Sequence, residues 1–174
     1  MTIKTCKGIL TPRLIDTVKK LLTDLPFKIA IDNKDSVGKN LNTDIQLQGL
    51  SRVSNHPPIG PTESRLNDFG FFITEKICEK TNFDYSNIRR FMWNIYRRGE
   101  EGSFHNDGEE DGLYTILYSL NSSDGYLQIN DAKFYDVEDE AKVFPSKLLH
   151  KGVGPEKDKL RINLNIVLEG CKEK

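Results

Sequence analysis

Two histidines, one aspartate and one arginine stand at positions from which they could build a metal site with an anion anchor. His105 and Asp107 form an H-x-D pair, and in an extended segment both side chains project from the same face. His150 lies well downstream, after several strand-like runs that could return the chain to the pair. Two imidazoles and one carboxylate on one side of a metal leave other positions open, as in non-haem iron(II) oxygenases. The spacing therefore predicts a metal site of His105, Asp107 and His150.

Arg161 follows His150 at a separation sufficient for a turn and a return strand. It lies in the segment Leu160 to Leu168, where apolar residues alternate with Arg161, Asn163 and Asn165. One face of this strand belongs to a core, and the polar face either meets solvent or lines a hydrated cavity. A guanidinium is planar and always charged, so Arg161 is a candidate for bidentate binding of a carboxylate.

The spacing of apolar residues changes near Ser86 from a helical period to the period of two that is typical of strands. The candidate site residues follow this change. Apolar spacing predicts helices over Thr11 to Leu25 and Thr62 to Asn82. Period-two patterns then predict strands at Asn87 to Tyr96, Leu113 to Leu120, Tyr126 to Ile129, Lys133 to Val137 and Leu160 to Leu168. Turn clusters between these runs are typical of an antiparallel sandwich or barrel.

Other segments are expected to be irregular. Phe27 to Ile31 is predicted to be a short strand, and the stretch Asp32 to Pro61, rich in Asn, Asp, Ser, Gly and Pro, a long loop. A loop of this length is usually a functional lid or a mobile segment, and His56 within it is interpreted as a solvated residue. Asp136 to Glu140 is likewise expected to be a solvated loop. No specific role is predicted for Arg89, Arg90, Arg97 and Arg98.

Composition limits the class of protein. Apolar residues make up 37% and charged residues 29% of the chain, which is ordinary for a soluble globular protein. The formal net charge of -1 implies no general attraction to nucleic acid or to an anionic membrane. Three widely spaced cysteines favour a reducing, cytoplasmic setting, and no apolar window reaches the length of a membrane span. We expect one domain over 1–174, with helical support over about 1–82 and a β core over about 86–169.

From about Phe91 to Glu169 the chain resembles the Fe(II)- and 2-oxoglutarate-dependent dioxygenases, particularly the prolyl 4-hydroxylase-like branch. The matching pieces are, in order, Tyr96 and Gly99 ahead of His105-Asn106-Asp107, Tyr114 to Asn121, Asp124 to Ile129, Val143 to Ser146, His150, and Arg161 to Asn163. The resemblance implies an α+β fold that is mainly β, with a double-stranded β-helix (jelly-roll) core supported by N-terminal helices.

The same resemblance implies roles for individual residues. Fe(II) would be held by His105, Asp107 and His150, and 2-oxoglutarate and O2 would be co-substrates. Arg161 would anchor the distal carboxylate of 2-oxoglutarate, and Tyr96 would bind near the metal and this co-substrate. The family usually has a tyrosine where this chain has Ser119, so Ser119 or Thr115 could supply the missing hydrogen bond. His150 is also followed by Lys151 and Gly152 instead of the commoner acidic and aliphatic pair.

The resemblance implies an oxygenase that hydroxylates a C–H bond and releases succinate and CO2, with a proline-containing peptide or protein as the expected substrate. Three alternatives stay open: a hydroxylase of a free amino acid or other small molecule, a non-catalytic cupin-like module that binds a metal or ligand, and a zinc hydrolase. A bare metal-binding barrel has no need for Arg161, and a zinc hydrolase lacks an evident general base here. No nucleic-acid or membrane partner is expected.

Overall fold

The computed structural model describes residues 3–24, 28–30, 48–51 and 64–173. Within these ranges the chain forms two helices, α1 (Pro12–Asp24) and α2 (Ser64–Thr81). The strands in the same ranges are β1 (Lys4–Lys7), β2 (Lys28–Ala30), β3 (Gln48–Ser51), β4 (Phe83–Asp84), β5 (Asn87–Arg97), β6 (Tyr114–Ser119), β7 (Ser123–Ile129), β8 (Ala132–Asp136), β9 (Glu140–Pro145), β10 (His150–Val153), β11 (Leu160–Glu169) and β12 (Lys172–Glu173). Neither described helix is long and apolar enough to cross a membrane.

The described strands pair into a large and a small antiparallel sheet. The large sheet has seven strands in the order β1-β9-β6-β11-β5-β3-β2, and the small sheet has the order β10-β7-β8. Leu117 and Phe144 of the large sheet pack against Leu127 and Ile129 of the small one, so the two sheets face each other. This arrangement is the predicted double-stranded β-helix core, and β4 and β12 form a separate short ladder.

Both helices cover the outer face of the large sheet. The Thr11 carbonyl accepts the first bonds of α1 from Leu14 and Ile15, at 2.9 and 3.0 Å, and Pro12 occupies the first helical position. The apolar stripes of α1 and α2 join the outward side chains of the sheet in one buried cluster, which includes Trp93 and Leu164. The predicted N-terminal helices are confirmed, and the part of the second prediction before Ser64 lies outside the described residues.

The central strands β5, β11 and β6 give the large sheet two different buried faces. Ile162, Leu164 and Ile166 of β11 belong to the helix-side cluster, whereas Arg161, Asn163 and Asn165 point to the inner face between the two sheets. The inner side chains are also buried, since Arg161 and Asn163 are 0% exposed. The polar face therefore lines the interior and does not meet solvent.

Two expectations about loops need correction, and some strands were not predicted. The stretch Asp32 to Pro61 is not loop throughout, because β3 within it pairs with β5 and with β2 through backbone bonds. The rest of that stretch, including His56 and the predicted lid, lies outside the described residues. The period-two patterns also missed β1, β9 and β10, which are short or carry charged side chains. Finally, the solvated loop predicted over Asp136 to Glu140 is shorter than expected, because Asp136 ends β8 with a buried side chain and Glu140 begins β9. The turn between these two residues carries the exposed Val137.

Candidate metal and co-substrate site

His105, Asp107 and His150 come together at one edge of the inner space. His105 lies in an extended segment and forms an isolated antiparallel bridge with His150, the first residue of β10. Each backbone N–H of this pair donates to the carbonyl of the other, at 2.9 and 2.8 Å, and the imidazole centroids are 4.5 Å apart. Ligand atoms of the three side chains all lie within 4.8 Å of one another. The structure thus brings the predicted triad into one cluster.

Backbone carbonyls orient both imidazoles. His105 Nδ1 lies 2.9 Å from the carbonyl oxygen of Ser103, and His150 Nδ1 lies 2.8 Å from that of Leu148. A carbonyl oxygen can only accept, so each neutral ring carries its proton on Nδ1 and keeps the Nε2 lone pair free. His150 Nε2 is buried and has no hydrogen-bond partner among the described residues. In metal-binding histidines, the ring nitrogen that does not bind the metal typically donates such a hydrogen bond.

The carboxylate of Asp107 accepts hydrogen bonds from two side chains, and each of these contacts one further side chain. Arg90 Nη2 donates to Oδ1, and Thr115 Oγ1 donates to Oδ2 at 2.8 Å. The Thr115 hydroxyl also lies 2.9 Å from Ser146 Oγ, and Asn165 Oδ1 accepts from Arg90 Nη2 at 3.0 Å. These contacts fix the position of a carboxylate whose side chain is only 1% exposed.

The charge state of this carboxylate suits a cation. Burial raises the pKa of Asp107, but its contact with His150 and the Arg90 guanidinium outweigh burial and hold the pKa below the usual range. Its oxygens lie 3.8 Å from His105 Nε2 and 3.5 Å from His150 Nε2. One ionised carboxylate and two neutral imidazole nitrogens form a ligand set that fits a divalent metal such as Fe(II).

Arg161 is completely buried and pairs with Asp136 across the interior. Its Nε donates to Oδ2 at 2.7 Å and its Nη2 to Oδ1 at 3.3 Å, so Asp136 occupies one edge of the guanidinium. Arg161 Nη1 is buried without a hydrogen-bond partner among the described residues. A buried donor without a partner is costly unless a ligand meets it, so Nη1 fits a carboxylate ligand.

Tyr96 and Gly152 place this arginine beside the metal ligands. Tyr96 lies opposite Arg161 in the sheet, with its ring centroid 5.0 Å from the guanidinium carbon. Burial raises the pKa of Tyr96, although Arg161 partly offsets it, so the phenol stays protonated and can donate. A Cβ on Gly152 would lie 2.9 Å from Arg161 Nη1 and would collide with the Tyr96 hydroxyl. Because Gly152 shares β10 with His150, the two halves of the site adjoin.

The two smaller residues predicted to bind the co-substrate differ in their surroundings. The Thr115 hydroxyl is already engaged by Asp107 and Ser146, and a contact with co-substrate stays a prediction for this residue. Ser119 is 0% exposed, and its Oγ has no hydrogen-bond partner among the described residues. Tyr118 faces the helix-side cluster, where its hydroxyl donates to Asp139 Oδ1 at 3.0 Å. Ser119 therefore offers a free hydroxyl to the interior, whereas Tyr118 does not.

Sequence reasoning missed two residues of the site, Arg90 and Asp136. Arg90 stands on the same face of β5 as Asn94 and Tyr96, so the alternation of side chains along this strand could have found it. Asp136 follows Phe134 at an interval of two in β8, which places both side chains on one face. The signal was present in each case, but the charge of the side chain favoured a solvated interpretation.

The two packed sheets and the site between them define a double-stranded β-helix protein, and among solved structures this is the fold of the 2-oxoglutarate- and Fe(II)-dependent oxygenases. One similar structure is a prolyl hydroxylase from Trichoplax adhaerens, in complex with an oxygen degradation domain peptide of hypoxia inducible factor. It has a TM-score of 0.68 and 15% identity, over 96% of this chain and 83% of that one.

Two further structures extend the comparison. The viral collagen prolyl hydroxylase of Paramecium bursaria Chlorella virus-1, in a 2-oxoglutarate complex, has a TM-score of 0.56 and 16% identity, over 97% of this chain and 96% of that one. A 2OG-Fe(II) oxygenase family protein from Burkholderia pseudomallei has a TM-score of 0.60 and 13% identity, over 96% and 85% of the two chains. No family model and no curated protein sequence matches the chain. The likeness establishes the fold.

Proposed function

We propose that the protein is an Fe(II)- and 2-oxoglutarate-dependent oxygenase that hydroxylates a C–H bond of its substrate. The main support for the proposal is that one site contains both a cluster of possible metal ligands and a buried guanidinium nitrogen that lacks a hydrogen-bond partner. The His105, Asp107 and His150 ligand atoms cluster within 4.8 Å, and the unpartnered Arg161 Nη1 lies against Gly152 on the strand of His150. A metal would be bound by the three ligands, and a carboxylate near it would accept a hydrogen bond from Arg161 Nη1. The distal carboxylate of 2-oxoglutarate can fill this second role.

The roles of the chain's own residues follow from their contacts. The triad would hold the metal, with Arg90 and Thr115 keeping the Asp107 carboxylate in place. Arg161 Nη1 would bind the distal carboxylate of 2-oxoglutarate, and the protonated Tyr96 hydroxyl would donate to the same molecule. Iron(II), when bound, supplies the redox chemistry in which 2-oxoglutarate and O2 yield succinate and CO2 while the substrate gains one oxygen atom. Arg161 and Asp136, whose side chains are at most 1% exposed, make the co-substrate end of the site the part that is shielded from water.

For the substrate we propose a peptide or protein segment that contains proline. Two of the similar structures are prolyl hydroxylases, and one of them holds a peptide. Phe104 and Leu149, the neighbours of two triad residues, are 44% and 50% exposed, and the Lys151 ammonium lies 5.1 Å from the Phe104 ring centroid. Exposed apolar side chains beside a buried site suit a segment that lies across the opening. A free amino acid or other small molecule is the second candidate.

The experiment is anaerobic reconstitution with Fe(II), followed by addition of O2 and measurement of succinate formed from 2-oxoglutarate. Turnover is compared with and without a panel of proline-containing peptides, and with free proline. Asp107→Ala should lose metal binding and turnover together. Asp111→Ala is the matched control, because this nearby aspartate is 97% exposed and its ion pair among the described residues is a surface contact with Lys147.

The outcomes separate the class of enzyme from its substrate. Succinate formation by the wild-type chain but not by Asp107→Ala supports the oxygenase. Undiminished Fe(II) or Mn(II) affinity of Asp107→Ala in calorimetry would contradict the metal site. Mass spectrometry that finds oxygen added to a free amino acid and to none of the peptides would replace the peptide substrate with a small molecule.

A further inference from the structure

A lysine is buried on the inner face of the large sheet. Lys142 belongs to β9 and lies opposite Leu117 of β6, and its side chain is only 2% exposed. Its Nζ lies 3.2 Å from Glu140 Oε1 and 3.7 Å from Asp136 Oδ1, yet no described residue forms a hydrogen bond with it. Lysine is rarely this buried, and the ammonium here has ion-pair contacts but no hydrogen bond to a described residue, so it can still donate to a ligand.

Lys142 shares its buried surroundings with one other cation and two carboxylates. Arg161, Lys142 and Asp136 have side chains that are at most 2% exposed, and they carry two positive charges and one negative charge. Glu140, which is 13% exposed, adds a second negative charge at 3.2 Å from Lys142 Nζ, and its other carboxylate oxygen lies 3.1 Å from the exposed Lys7. The three innermost side chains therefore keep a net positive charge that Glu140 offsets from nearer the surface, and an anionic ligand in the interior would meet that charge directly.

Asp136 gathers the two cations around one carboxylate. Its Oδ1 lies 3.3 Å from Arg161 Nη2 and 3.7 Å from Lys142 Nζ, while its Oδ2 accepts from Arg161 Nε. Asp136 therefore uses up one edge of the guanidinium and leaves two donors without hydrogen bonds to described residues, Arg161 Nη1 and Lys142 Nζ. Two cationic donors near a common carboxylate suit a second, ligand carboxylate.

We propose that Lys142 is a second cationic contact for the distal carboxylate of 2-oxoglutarate, next to Arg161. The proposal rests on the proposed function. It also accounts for Ser119, where the family usually has a tyrosine: Glu140 lies opposite Ser119, and Lys142 is two residues farther along β9 on the same face. The donor that the tyrosine would supply comes instead from the neighbouring strand. Lys142 thereby selects a co-substrate that ends in a charge.

The test measures binding without turnover. The Mn(II)-loaded protein is titrated by calorimetry with 2-oxoglutarate and with 2-oxopentanoate, in which a methyl group replaces the distal carboxylate. Lys142→Met should weaken 2-oxoglutarate binding about 10- to 100-fold, the size of one charge-assisted hydrogen bond, and should leave 2-oxopentanoate binding nearly unchanged. Lys142→Arg should restore most of the preference for 2-oxoglutarate. Lys147→Met, at an exposed lysine of the same region, is the control and should change neither affinity.

The outcomes distinguish a failure of the Lys142 proposal from a failure of the proposed function on which it rests. If Lys142→Met keeps the wild-type ratio of the two affinities and only melts at a lower temperature, Lys142 is a structural counterion of Asp136 and the proposal is wrong. If Lys142→Met does not fold, Lys142→Gln, which keeps a polar side chain without the charge, is measured in the same way. If the wild-type protein binds Mn(II) but no 2-oxoglutarate, the proposed function itself fails, and the role of Lys142 fails with it.

Discussion

Both faces of the large sheet are buried, but one face is apolar and the other is polar and charged. Along β11, Ile162, Leu164 and Ile166 pack into the helix-side cluster, whereas Arg161 and its alternating neighbours form the inner face. On the inner face, buried polar atoms of Arg161, Asn163, Ser119 and Lys142 have no hydrogen-bond partner among the described residues, whereas the helix-side cluster contains one such atom among the same residues, Trp93 Nε1. Unpaired buried donors destabilise a fold, and a concentration of them is typical of a place where a ligand completes them. The comparison predicts that the outer face contributes mainly to stability and the inner face to ligand binding.

The largest effect should come from the charged centre of the inner face. Arg161→Met combined with Asp136→Asn removes the buried pair without leaving either charge alone. The loss of a shielded ion pair with the ligand, worth about 3 to 5 kcal/mol, should weaken 2-oxoglutarate binding about a hundredfold or more. Mn(II) affinity should stay nearly constant in calorimetry, because no triad residue is altered. An unchanged 2-oxoglutarate titration would remove Arg161 from the site.

On the outer face, a truncation should act on stability instead. Leu164 is completely buried in the helix-side cluster, so Leu164→Ala should lower the free energy of unfolding by about 2 to 5 kcal/mol. Leu160→Ala on the same strand is the matched control, since Leu160 is 38% exposed and its truncation should cost about 0.5 kcal/mol or less. Urea unfolding gives both values. Equal losses in the two variants would contradict the division between the faces.

The smallest of these effects concerns the hydroxyl behind the metal carboxylate. Thr115→Val keeps the shape of the side chain but removes the 2.8 Å hydrogen bond to Asp107 Oδ2. Metal affinity should fall about 10- to 100-fold, as for other residues that orient metal ligands. Thr74→Val removes a buried threonine hydroxyl from α2, where it donates to the Gly70 carbonyl, and should leave metal affinity unchanged. A Thr115→Val variant with wild-type Mn(II) affinity would show that Arg90 alone positions the carboxylate.

The spacing of apolar residues along the chain predicted those helices and strands in which apolar and polar side chains alternate regularly. The two helices and the strands β5, β6, β7, β8 and β11 were anticipated because apolar residues mark one face of each. The strand β3 was not, because Gln48–Ser51 joins the sheet through backbone bonds to β2 and β5, and a turn-rich composition does not record such bonds. The same limit applies to β10, whose four residues include a histidine, a lysine and a glycine.

The cluster of His105, Asp107 and His150 was predictable because these residue types at this spacing have a specific chemistry. The charged residues around this cluster were not predicted from the sequence. Arg90, Asp136 and Lys142 are charged residues, which are most often solvated, and the partners of Arg90 and Asp136 lie far away along the chain. Asp136 and Arg161, for example, meet across a separation of 25 residues. Only the packing of the two sheets decides that these charges face inward.

The N-terminal strand has a consequence for the order in which the protein assembles. β1 pairs with β9, the strand that carries Lys142, and the backbone N–H of Ile9 donates to Asp139 across 130 residues. During synthesis β1 therefore has no partner until most of the chain has been made, and such non-local pairing is slow to form. A variant without residues 1–8 would leave β9 as an open edge strand, and open edges invite association between chains. Aggregation during expression, before any loss of catalysis, is the expected failure of such a variant.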